Sequence, residues 1–184
     1  MELLPFLRAQ VRANRLANRR LHAAMAELTA EQFQAPRTGF FPGLSATLNH
    51  ILWVDEYYLG CLFGEPGVRE RCLALSDHAT LPSLVSAQAD ADQRFIGILE
   101  ACEHADLDRI VEMPRADHVQ REAFGRVVAH LLNHQMHHRG QAHAMLSATA
   151  VAPPQLDEFL MASEAHLRHA DLAALAWTEA DLFR

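Results

Sequence analysis

Four long segments of this chain repeat apolar residues at spacings of three and four, and that period admits α-helices and little else. Residues 2–28 place Leu4, Leu7, Val11, Leu21, Met25 and Leu28 on one stripe, which also passes through Asn14 and Asn18. The run LSATLNHILWVDEYYLGCLF reaches about residue 63 and is apolar on most sides, so it reads as a deeply buried helix. Ser45 is its candidate N-cap. A third stripe runs through Leu84, Gln88, Ala91, Phe95, Ile98 and Cys102, to about residue 104, behind a Thr80 cap and a first-turn Pro82. The fourth covers about 121–147, with Phe124, Val127, Leu131, His134, His138, Gln141 and Met145 in line.

The connections read as punctuation. Thr29 caps a short turn, with Gln32 at the capping-box position. QAPRTGFFPG at 34–43 is a loop. Gly64, Pro66 and Gly67 stop the second helix, and residues 64–79 form an irregular crossover. Residues 105–120 read as a loop with room for a short strand at Ile110-Val111. After Pro153-Pro154 the tail predicts an amphipathic helix over about 156–172 and a last turn in TEADLF. The expected fold is all-α: a four-helix bundle with a long crossover connection between helices 2 and 3, plus a C-terminal extra helix on its outside. We expect one domain over 1–184, with its core at about 1–150 and a helical extension at about 155–184. The 184-residue length suits a single core.

Charge and composition exclude several classes of function. The net charge is −7, which gives no attraction to nucleic acid or to an anionic membrane. All 16 basic residues are arginine, so a catalytic lysine or Schiff base is ruled out. Cys61, Cys72 and Cys102 are odd in number and irregularly spaced, which fits reduced, buried thiols better than a disulfide framework. MELLPFLRAQVRANR lacks the layout of a signal peptide, and no apolar run of about 18 residues occurs. A cytoplasmic location is the expectation.

The most informative segment is HLLNHQMHHRGQAH at 130–143, with five of the chain's 12 histidines. His134 and His138 stand at i and i+4, about 40° apart on one helical face. Such a pair can direct two imidazoles at one metal ion, and it interrupts an apolar stripe, where polar side chains need partners. One helix supplies two ligands, so a third must come from a neighbour. His50, alone in the middle of the most apolar helix, is the best candidate. A hydrogen-bonded core histidine is the competing reading for His50, and His130 and His137 are alternative members on the fourth helix. Three histidine ligands leave positions open for water or substrate. Imidazole suits Zn²⁺, Ni²⁺, Fe²⁺ or Cu²⁺. His22, His78, His104, His118, His166 and His169 read as surface or loop residues. Asn14 and Asn18 read as hydrogen-bonding across helices, with a place beside the site as the alternative. Asp55 and Glu56 read as solvent-facing ion pairs.

These residues resemble a known family. TLNHILWVDEYYL at 47–59, LLNHQMHHRGQAHAML at 131–146 and VAPPQLD at 151–157, with LANRRL at 16–21, resemble the DinB superfamily over roughly residues 1–160. The resemblance implies a four-helix bundle with a long crossover and a three-histidine metal site at His50, His134 and His138. It also implies a homodimer. Some relatives are thiol-dependent transferases or isomerases; others are described as metal-dependent hydrolases. The expected cofactors are a divalent metal ion, Zn or Ni first and Fe or Mn next, and a low-molecular-weight thiol. The expected partner is a small-molecule substrate, with no nucleic acid and no membrane. The expected function is metal-dependent thiol S-transfer or hydrolysis, against a non-catalytic, metal-dependent ligand-binding or stress-related dimeric bundle.

Overall fold

The computed structural model describes residues 2–184. Four long helices form the bundle: α1 (Leu3–Met25), α3 (Leu44–Phe63), α5 (Leu81–Ala101) and α6 (Phe124–Leu146). Between them lie α2 (Ala30–Gln34), α4 (Val68–Leu73) and an antiparallel hairpin of β1 (Ile110–Pro114) and β2 (Val119–Ala123). The tail adds a 3-10 turn at Ala162–Leu167, then α7 (His169–Ala174) and α8 (Glu179–Phe183). No helix among the described residues is long and apolar enough to cross a membrane.

The helix signals act where the sequence places them. Thr29 and Gln32 close a reciprocal capping box at the start of α2. The Thr80 side chain accepts from the Ser83 amide at the start of α5, with Pro82 in the first turn. Gly64 ends α3 in the left-handed region at φ 70°, which a side chain would strain. At α3 the cap differs from expectation. The helix begins at Leu44 behind Gly43, and Ser45 lies inside it.

The crossover is more ordered than a loop. Val68 and Cys72 of α4 are buried against α3, and Gly60 permits that approach, because a Cβ there would run into the Val68 side chain. The hairpin extends the Ile110-Val111 expectation to five residues on each strand. Val111 and Met113 alternate inward into the core while Ile110 and Glu112 face out. The Tyr57 hydroxyl donates to the Pro114 carbonyl 2.6 Å away and ties the hairpin to α3.

The tail corrects the expectation of one helix over 156–172. Residues 156–161 are irregular, and helix resumes only in short pieces. Side-chain anchors hold the segment instead of a continuous helical stripe. Arg168, fully buried, pairs with Glu179 at 2.8 Å and donates to the Met161 carbonyl. Arg20 of α1 grips Asp171 and Glu158. Phe159, Leu172 and Leu182 close over Ala13, Leu16 and Ala17 of α1. Apolar surface of α1 beyond its bundle face is therefore covered by the chain's own tail.

A buried polar network crosses the bundle centre. Arg139 of α6 donates to the side-chain oxygens of Asn14 (2.6 Å) and Asn18 (2.8 Å) on α1. Asn18 donates onward to Asp92 of α5, and Gln88 bridges Asp92 and Asp55 of α3. Gln135 of α6 also donates to Asp55. Asn14 and Asn18 thus bond across helices, as expected. Asp55 does not face solvent: it is 3% exposed, and burial pushes its carboxyl well above the usual range. Burial likewise lifts Asp92 to about 6 and lowers Arg139 to about 10. Glu56 behaves as expected, pairing with Arg94 at 2.8 Å.

Candidate metal centre

α3 and α6 pack side by side along much of their length, so residues at matching heights on their facing stripes meet. His50 of α3 meets His134 and His138 of α6. The Nε2 atoms of His50 and His134 lie 3.1 Å apart. The ring centroids of His50 and His138 are 4.6 Å apart, and those of His134 and His138 4.4 Å. One nitrogen from each of the three rings falls within a common 4.8 Å group. The i, i+4 spacing on α6 and the lone histidine of α3 have produced one cluster.

The donor set fits a divalent ion. Two nitrogens bound to one ion at about 2.1 Å, at tetrahedral to right angles, stand about 3.0–3.4 Å apart. The His50–His134 separation falls in that range. Two of the rings are also held in the form a metal needs. Burial, with the neighbouring His138 and His50, lowers the His134 pKa to about 3. Burial and His138 lower that of His50. Neutral imidazole is the metal-binding form. A hydrogen bond between His50 and His134 accounts for one pair of nitrogens and leaves His134 Nδ1 buried without a partner. It does not account for the third ring.

Two further residues shape the cluster. His138 Nδ1 lies 2.8 Å from Gln141 Oε1, one turn on along α6. An N–H donated to that oxygen leaves Nε2 of His138 as the free ligand atom and fixes the ring's rotation. Gln141 stands three residues after His138 on the same stripe, and that spacing was its signal. Phe41 covers the cluster from the loop before α3, its ring 4.4 Å from His50 and 5.5 Å from His138. Nothing in QAPRTGFFPG marked it, because a loop residue carries no periodicity.

The other histidines fall outside. His137 is exposed and bonds to the Gln141 amide nitrogen at 3.1 Å. His130, also exposed, packs against Tyr58 with the rings tilted and their centroids 5.2 Å apart, one turn before His134. His104 and His118 are on the surface, as expected. His22 is not: it is 6% exposed, among the buried residues of α1, on the side that meets α2 and the start of α5.

A four-helix bundle that converges three histidines from two facing helices belongs to the class of helical proteins with a candidate metal centre inside the bundle. The DinB family model matches residues 6–172, and the chain belongs to the DinB family. The match runs past the Pro153-Pro154 break into the tail. No curated protein matches the chain.

Proposed function

We propose that the protein is a metal-dependent enzyme whose ion, Zn or Ni first and Fe or Mn next, is held by His50, His134 and His138. The convergence of three imidazoles carries this reading. Three protein ligands leave a position open, the pattern of catalytic rather than structural sites. When bound, such an ion lowers the pKa of a water or of a low-molecular-weight thiol, supplying a nucleophile at neutral pH. Hydrolysis of, or thiol transfer to, a small-molecule electrophile is the corresponding reaction.

The chain's own residues bind and shield. Gln141 orients His138, and Phe41 shields one side of the cluster from water. A cavity of about 220 Å³ opens one turn away on α6, lined by His130, Tyr58 and Met113, and offers room for a small substrate. No serine nucleophile motif or phosphate loop competes for the catalytic role. We place the working protein in a homodimer, an expectation that rests on the DinB resemblance.

The test is a thiol-transfer and ester-hydrolysis screen of the metal-loaded protein with and without chelator. Chelator-sensitive turnover supports the reading. Stoichiometric metal without turnover of either kind overturns it in favour of a non-catalytic, metal-dependent binding protein.

A further inference from the structure

A cleft of about 530 Å³ lies on another side of the bundle, where the C-terminal half of α1 faces α2 and the start of α5. None of the three clustered histidines lines it. Its volume falls in the range of small-molecule sites. Phe33, Leu81 and Val85 supply apolar wall, and Leu175 of the tail closes one side. Five further lining residues are alanine, at 23, 26, 30, 79 and 89, where larger side chains would have filled the space.

One buried polar side chain in this cleft has no hydrogen-bond partner among the described residues. His22 lines it, is 6% exposed, and makes no side-chain hydrogen bond to any described residue. Its ring nitrogens are not among the sealed, unpartnered polar atoms of the interior, so they keep contact with solvent, and the ring lines the cleft. With no such partner, those nitrogens are open to water or to a polar group of a molecule held in the cleft. Burial, with the nearby Arg139 charge, lowers the His22 pKa to about 4. The ring is therefore neutral near pH 7 and offers one donor and one acceptor. Asp92, also buried in the wall, accepts from Asn18 and Gln88. The two arginines at the cleft are engaged elsewhere: Arg15 donates to the Ala89 carbonyl and Gln93, and Arg19 pairs with Asp171. With a carboxyl group in the wall and no free cation, the cleft does not suit an anion.

We infer that this cleft is a second ligand site, separate from the histidine cluster, for a compact, uncharged, largely apolar molecule carrying one N–H or O–H group that bonds to His22. The apolar body lies against Phe33, Leu81 and Val85, and the alanines leave the space it takes. The tail residue Leu175 completes the wall, which gives the C-terminal segment a part in binding. The site does not depend on the histidine cluster, whose ligands lie on α3 and α6.

The test uses N-phenyl-1-naphthylamine, an apolar fluorescent probe with a single N–H, titrated into the full chain. The expected result is saturable binding at one probe per chain, unchanged by chelator. Loss of one hydrogen bond in His22→Leu should weaken it about tenfold. Ala26→Trp, at an exposed position just past the end of α1, fills the cleft mouth without touching the core. It should abolish binding while the circular dichroism spectrum stays that of the wild type. Absence of saturable binding overturns the inference, as does wild-type affinity in Ala26→Trp.

Discussion

The Oε1 atom of Gln141 lies 2.8 Å from Nδ1 of His138, on the side of the ring away from the nitrogen left free for the cluster. A hydrogen bond there fixes both the tautomer and the rotation of the imidazole, and removal of such an outer partner typically costs a metal site 10–100-fold in affinity. Gln141→Leu should therefore weaken metal binding by about that factor while leaving the helix intact. Competition with a fluorescent chelator measures it. Wild-type affinity in the variant would show that His138 needs no orienting partner.

His137 and His138 are neighbours with different fates. His137 is exposed and His138 buried among the three rings. On one helix successive residues point about 100° apart, so one ion cannot gather His134, His137 and His138 together. His137→Ala should keep nearly full metal content after dialysis and cost about 1 kcal/mol of stability at most. His138→Ala should lose tight binding. The reverse pattern would mean that the wrong member of the pair has been assigned.

His22 makes folding stability depend on pH in a defined direction. Its folded pKa of about 4 lies below the ordinary value of 6.5. The stability tied to the neutral ring is therefore present above about pH 6.5 and is lost as the pH falls through 4. Asp92, raised to about 6, works the other way: its contribution is present below its ordinary pKa of 3.8 and is lost as the pH rises through 6. The variant comparison isolates the histidine. Between pH 7 and pH 4, His22→Leu should gain on the order of 3 kcal/mol relative to wild type in urea unfolding. A constant difference across that range would mean that His22 is not held neutral by its surroundings.

The homodimer is the prediction with least support in the chain itself. The tail covers the surplus apolar face of α1, while Trp53, Leu73 and Leu75 of the α3–α4 region remain exposed. Light scattering at micromolar concentration should give twice the mass of one chain. A single-chain mass would refute the dimer and leave the histidine cluster untouched.

The four long helices were legible because each repeats its apolar residues over five or more turns, a signal that loops cannot imitate. The cluster was legible for the same reason: His134 and His138 sit in a stripe that packing turns inward, and His50 sits in a helix that is apolar on most sides. The tail was misread because its amphipathic spacing is real but short, and the buried Arg168 and half-buried Arg20 hold it more than helix does. Asp55 was misread because a single carboxylate beside Glu56 looks like its neighbour. Only the approach of Gln88 and Gln135 from two other helices reveals that it is buried. His22 looked exposed beside Arg19 and Arg20, although one residue along a helix is enough to turn a side chain inward.

The central claim is that His50, His134 and His138 hold one metal ion, and metal content by elemental mass spectrometry tests it most directly. Wild-type protein and His50→Ala are purified without added chelator, supplied with zinc or nickel, and dialysed. The account predicts close to one ion per chain in the wild type and almost none in the variant, with both folded by circular dichroism. Wild-type protein that stays empty, or a His50→Ala variant that binds as much metal as the wild type, would contradict it.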